Sequence, residues 1–139
     1  MSNCAAAKQK ILVVDDEPAV CQSLRVILGR EGYEVTTAWS GIEALGLLAA
    51  ETYHLVITDF TMSGMRGDAL AKTIHERWPE LGIIMLTASA DILRSSATQL
   101  PGVDFLMNKP FALEQFRKTV ALVLTGHEFS DAGVLSAAS

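Results

Sequence analysis

Lysine and arginine form no run in this chain. With 11 of them against 16 acids, the formal net charge is -5, which argues against a protein that grips a nucleic-acid backbone. Cysteine is scarce. Cys4 and Cys21 lie in a tail and in a helical stretch, with no metal-ligand or redox spacing, so reduced cytosolic thiols are the expectation. The histidines His54, His75 and His127 lack ligand spacing and have no nucleophile beside them, so none reads as catalytic. No apolar run approaches the roughly 18 residues of a membrane span. The opening "MSNCAAAKQK" lacks the apolar stretch of a signal peptide. Repeats, low-complexity tracts and a second domain are absent too. A cytoplasmic protein with neither membrane nor direct nucleic-acid partner is therefore expected.

What is present is a globular composition, 50% hydrophobic and 19% charged over 139 residues, enough for one domain with a real core. Short runs rich in Val, Ile and Leu recur at 11–14, 33–38, 54–58, 82–87 and 103–107. The first, third and fourth hardly alternate, as strands covered on both faces of a parallel sheet should not. "YEVTTA" is more polar and reads as an edge strand. Between the runs lie helical stripes. Val20, Leu24, Ile27 and Leu28 follow Pro18 and stop at Gly32. Ile42, Leu45 and Leu48 follow Ser40, a candidate N-cap. Leu70, Ile74 and Trp78 end at Pro79, with Asp68 as the expected cap. A weaker stripe spans 92–100, and Leu113, Phe116, Val120, Val123 and Leu124 end before Gly126. Five β/α alternations predict a doubly wound α/β fold, with tails at 1–9 and 127–139 around a domain at 10–126.

In an open parallel sheet, ligands bind beyond the C-terminal ends of the strands. Asp15, Asp16 and Glu17 follow the first run, Asp59 ends the third, Thr87 the fourth, and Asn108-Lys109-Pro110 the fifth. Adjacent carboxylates resist joint ionisation unless a positive charge sits among them. Asp15, Asp16, Asp59 and Lys109 carry a formal charge of minus two, which one hard divalent cation such as Mg2+ would neutralise through oxygen ligands. A carboxylate beside a cation, an ammonium and a hydroxyl is the setting that phosphoryl transfer requires. Glu17 reads instead as a first-turn helix residue near the positive helix end.

The motifs "VVDDEP", "LVITDFTMSGMRG", "IIMLTA" and "NKPF", in this order and spacing, resemble those of bacterial response-regulator receiver domains from about Lys10 to Thr125. The resemblance implies a flavodoxin-like (βα)5 fold, a five-stranded parallel sheet in the order 2-1-3-4-5 with helices on both faces. It implies Asp59 as phospho-acceptor, with Asp16 a direct Mg2+ ligand, Asp15 acting mostly through water, and the Thr61 backbone carbonyl completing the set. Lys109 is similar to the lysine that contacts phosphoryl oxygens, ahead of a cis peptide to Pro110, and Thr87 to the switch hydroxyl. The implied partner is a sensor histidine kinase or histidine phosphotransfer protein. An unidentified protein would receive the output from a monomer or a weak, phosphorylation-dependent dimer.

The chain departs from this pattern twice. Ser63 stands where the family commonly has proline, which is expected to loosen the loop slightly without touching the chemistry. Leu106 stands where a switch Tyr or Phe is usual, while alternation sends Phe105 to the opposite face. Among rival readings, a haloacid-dehalogenase-like Mg2+ phosphatase wants a second acid two residues after its nucleophile, where this chain has Thr61. A flavodoxin-type redox protein would have its flavin phosphate repelled by three acids. A degenerate receiver would lack site residues that are all present here. A receiver cut from a hybrid kinase or multidomain regulator stays open as an alternative.

Overall fold

Each of the three most apolar runs becomes a strand buried on both faces. The computed structural model describes residues 8–88 and 102–125. Its strands are β1 (Lys10–Val14), β2 (Glu34–Ala38), β3 (Leu55–Asp59), β4 (Gly82–Thr87) and β5 (Phe105–Asn108). They form one parallel sheet in the order β2-β1-β3-β4-β5. β2 is an edge strand, as its polarity indicates, because only β1 pairs with it. The described helices are α1 (Pro18–Arg30), α2 (Gly41–Ala50), α3 (Gly67–Arg77) and α4 (Leu113–Thr125). The 92–100 stripe, most of the 1–9 tail and the 127–139 tail lie outside the described residues.

Strand alternation sorts the core into two layers. Leu12, Val14, Val56, Ile83 and Met85 face α2 and α3 through Ala44, Leu48, Leu70 and Ile74. Ile11, Val13, Ile57, Ile84 and Leu86 face α1 and α4 through Leu24, Leu28, Phe116 and Val120. Leu106 packs on the first layer and Phe105 on the second, so the two neighbours do diverge.

Local chemistry sets the helix ends. Pro18 opens α1, and Gly32 adopts φ 94° just beyond its last turn, a conformation costly for other residues. The Ser40 side chain accepts the Glu43 N–H at 3.0 Å and caps α2. Asp68 is not the α3 cap. Arg66 holds that position, and Asp68 sits inside the first turn, bonded to the Arg66 guanidinium at 2.7 and 3.1 Å. Glu17 likewise occupies the α1 cap position rather than the first turn, and its side chain makes no cap bond.

Candidate functional site

β1 lies between β2 and β3, so the chain winds away from it in both directions. The C-terminal ends of β1 and β3 therefore flank the crevice where doubly wound sheets bind ligands. One residue past β1, the Asp15 N–H donates to the Ala38 carbonyl at 3.0 Å and prolongs the ladder with β2. That holds Asp15 inside the protein, 1% exposed. Its Oδ1 accepts the Glu17 N–H at 2.9 Å, closing the turn that enters α1. Asp16 is more open to solvent, and its Oδ2 accepts both the Ser63 N–H at 3.0 Å and the Ser63 hydroxyl at 3.1 Å.

Asp59 ends β3, 7% exposed, and the Phe60 N–H extends the pairing to the Leu86 carbonyl at 2.9 Å. The next helix then returns very close to this strand end. A Cβ on Gly67 would stand 2.2 Å from the Asp59 carbonyl oxygen, so only glycine fits. On the far side, the Lys109 N–H donates to the Thr87 carbonyl at 2.8 Å, and the Lys109–Pro110 peptide is cis. Lys109 Nζ lies 3.3 Å from Asp59 Oδ1 and 3.5 Å from Asp15 Oδ2. A single ammonium thus bridges acids on two neighbouring strands.

One ammonium does not balance three carboxylates. Burial holds the Asp59 carboxyl above its usual range; Lys109 opposes this, while Asp15 reinforces it. Burial works against the Lys109 ammonium as well, yet the charges of Asp59 and then Asp15 outweigh it and raise its pKa. Asp16 moves the other way, held low chiefly by the Ser63 N–H. Each of the three acids offers an oxygen within 4.8 Å of the others. Oxygen donors alone, with excess negative charge and one acid that resists ionisation, fit a hard divalent cation.

The chain's residues 11–121 match the family model described as a response regulator receiver domain. The chain belongs to the response regulator receiver family. A curated relative, response regulator MprA of Mycobacterium bovis, is 33% identical over 123 residues, which cover 88% of this chain and 54% of the relative. The chain spans about half the length of the curated relatives it matches. Among solved structures, the response regulator TrrA from Thermotoga maritima, in complex with Mg2+ and BeF, has a TM-score of 0.74 at 34% identity. That likeness covers 81% of this chain and 96% of TrrA. A CheY-like receiver from Methanospirillum hungatei has a TM-score of 0.79 at 29% identity, covering 86% and 95%.

The fold is accordingly the flavodoxin-like receiver fold. A receiver is a phospho-acceptor module of two-component signalling that works with histidine kinases, and not an enzyme acting on a separate substrate. In this receiver Asp15, Asp16, Asp59 and Lys109 converge. Thr87 is buried at the end of β4, one position beyond Leu86, the register partner of Asp59. Thr61 is exposed in the loop after β3, and Leu106 is half-buried two residues before the end of β5. No described helix is long and apolar enough to cross a membrane.

Two residues of the receiver site escape sequence reasoning. Gly67 shapes the approach to Asp59, and the only signal for it is a glycine just before a helical stripe. Ser63, expected to leave the chemistry untouched, ties its loop to Asp16. A serine restores the backbone donor that proline lacks and adds a hydroxyl, and the structure spends both on Asp16.

Proposed function

We propose that Asp59 of this receiver accepts a phosphoryl group from a phosphohistidine on a sensor histidine kinase or histidine phosphotransfer protein, with Mg2+ as cofactor. Asp16 would hold the cation directly, Asp15 mostly through water, and Asp59 and the Thr61 carbonyl would complete the protein's share. The observation that carries this reading is Lys109 Nζ poised between Asp59 and Asp15, inside an acid trio at the mouth of the sheet. The solved relative TrrA, bound to Mg2+ and BeF, supports the same cofactor here.

When bound, the cation supplies charge neutralisation at the phosphoryl oxygens. The chain's own groups do the rest. An Asp59 carboxylate oxygen attacks phosphorus in line with the scissile P–N bond, which breaks as the imidazole of the donor leaves. The product is an acyl phosphate on Asp59. The Lys109 ammonium meets the phosphoryl oxygens that replace carboxylate charge beside it, and the Thr87 hydroxyl donates to one of them. Output then passes to a protein partner through a shift that starts at the Thr87 hydroxyl, with Leu106, which lacks the usual switch ring, contributing less.

Incubation with acetyl phosphate and Mg2+, read by intact mass spectrometry, tests the assignment. One phosphoryl group should be added to the natural chain and none to Asp59→Asn. Undiminished labelling of the mutant would refute Asp59 as the acceptor.

A further inference from the structure

The loop between β3 and α3 is tied back to the end of β1 by one residue. Ser63, 47 positions from Asp16 along the chain, places two donors on a single carboxylate oxygen, Oδ2, and leaves the other oxygen outside this clamp. Below the loop, Met62 is buried in the α2/α3 layer, so Ser63 is anchored from beneath while it reaches across to Asp16. Thr61 belongs to the same short segment. The clamp therefore draws together the acid just past β1 and the loop that bears Thr61, two residues after Asp59.

We infer that Ser63 is a positioning residue for the cation site, holding the Asp16 carboxylate and the Thr61-bearing loop in register before the cation arrives. This rests on the reading of Asp16 and Thr61 as cation ligands. The physical basis is preorganisation. Ligands from two segments far apart in sequence must be ordered together for a cation to bridge them, and ordering them in the metal-free chain removes that cost from binding. The two contacts are unequal in chemistry. The N–H is a property of any residue except proline, whereas the hydroxyl belongs to serine or threonine.

Three variants of the full chain separate these contributions in Mg2+ titrations by calorimetry. Ser63→Pro removes both donors and should weaken binding about tenfold. Ser63→Ala keeps the N–H and should weaken it about threefold, and Ser63→Thr should stay within about twofold of the natural chain. A second readout needs no cation. In the metal-free protein the Ser63 amide should exchange its hydrogen slowly, and Asp16→Ala should accelerate that exchange severalfold.

Failure to take up Mg2+ in the natural chain would refute the cation site itself. Normal uptake there, with equal or tighter uptake in Ser63→Pro, would overturn the positioning role alone. Fast Ser63 exchange in the natural chain would also overturn it. Should Ser63→Pro lose its circular dichroism, Ser63→Ala against Ser63→Thr decides the matter, and equal affinities refute the hydroxyl's part.

Discussion

Replacing Asp59 by Asn should make the metal-free protein more stable. The substitution keeps the shape and removes one charge from the acid cluster. At an effective dielectric of about 20, the attraction lost between Asp59 and Lys109 at 3.3 Å is about 5 kcal/mol. The repulsion relieved against Asp15, at the 4.8 Å outer separation, is about 3.5 kcal/mol. The Asp15 repulsion alone falls short of the Lys109 attraction, so the gain rests on desolvation of the buried carboxylate, the largest influence on Asp59. Repulsion from Asp16 adds to the same side, weakened by salt and solvent. A net gain on the order of 1 kcal/mol corresponds to a rise of about 3 °C in the unfolding midpoint.

The assay is calorimetric or fluorescence-detected melting in chelator, natural chain against Asp59→Asn, across pH. The sign of the pH dependence follows from the raised Asp59 pKa. The folded state holds this proton more tightly than the unfolded chain, whose ordinary value is 3.8. The cost of ionisation is therefore absent below that value and appears as pH rises through the folded one. The advantage of Asp59→Asn should vanish at acid pH and reach its full size by neutrality. Added Mg2+ should stabilise the natural chain and stabilise the mutant less. A lower midpoint for the mutant at neutral pH without metal would refute the view that these acids are crowded beyond what Lys109 relieves. Asp16→Asn should bring no such gain, because the Ser63 donors already favour its charge.

Gly67→Ala should cost about 3 kcal/mol or more and slow the labelling of Asp59, since the new methyl meets a strand carbonyl and not a flexible side chain; thermal melting with mass-spectrometric labelling checks both, and a neutral result would mean that α3 shifts freely. Lys109→Met should tighten Mg2+ binding severalfold while suppressing labelling, because the cluster goes from a formal minus two to minus three and loses its phosphoryl contact; calorimetry showing weaker Mg2+ binding would count against the charge reading. Leu106→Ala should destabilise the fold by about 1–2 kcal/mol, from a half-buried leucine on the α2/α3 layer, and leave labelling intact. Loss of labelling there would make Leu106 part of the chemistry.

The sequence by itself determined the architecture. Unbroken apolar runs at β1, β3 and β4 demand cover on both faces, and helical stripes between them supply it. Parallel strands joined by helices must all point one way, so residues at the run ends, Asp15, Asp59, Thr87 and Lys109, had to emerge at one rim. The same regularity made the divergence of Leu106 and Phe105 readable, because strand alternation is a rule of backbone geometry.

Only the tertiary structure decided what depends on distances between segments remote in sequence. That Lys109 bridges Asp15 and Asp59 rather than one of them is a matter of tenths of an ångström set by sheet register. The cap of α3 falls on Arg66, with Asp68 inside the first turn and paired to it, because the chain has to turn back from the end of β3 at Gly67. Gly67 is obligatory because a helix start lies against a strand end, and Ser63 matters because its loop folds back onto β1. Both are through-space contacts, and their cost or gain appears only when the backbone has closed on itself.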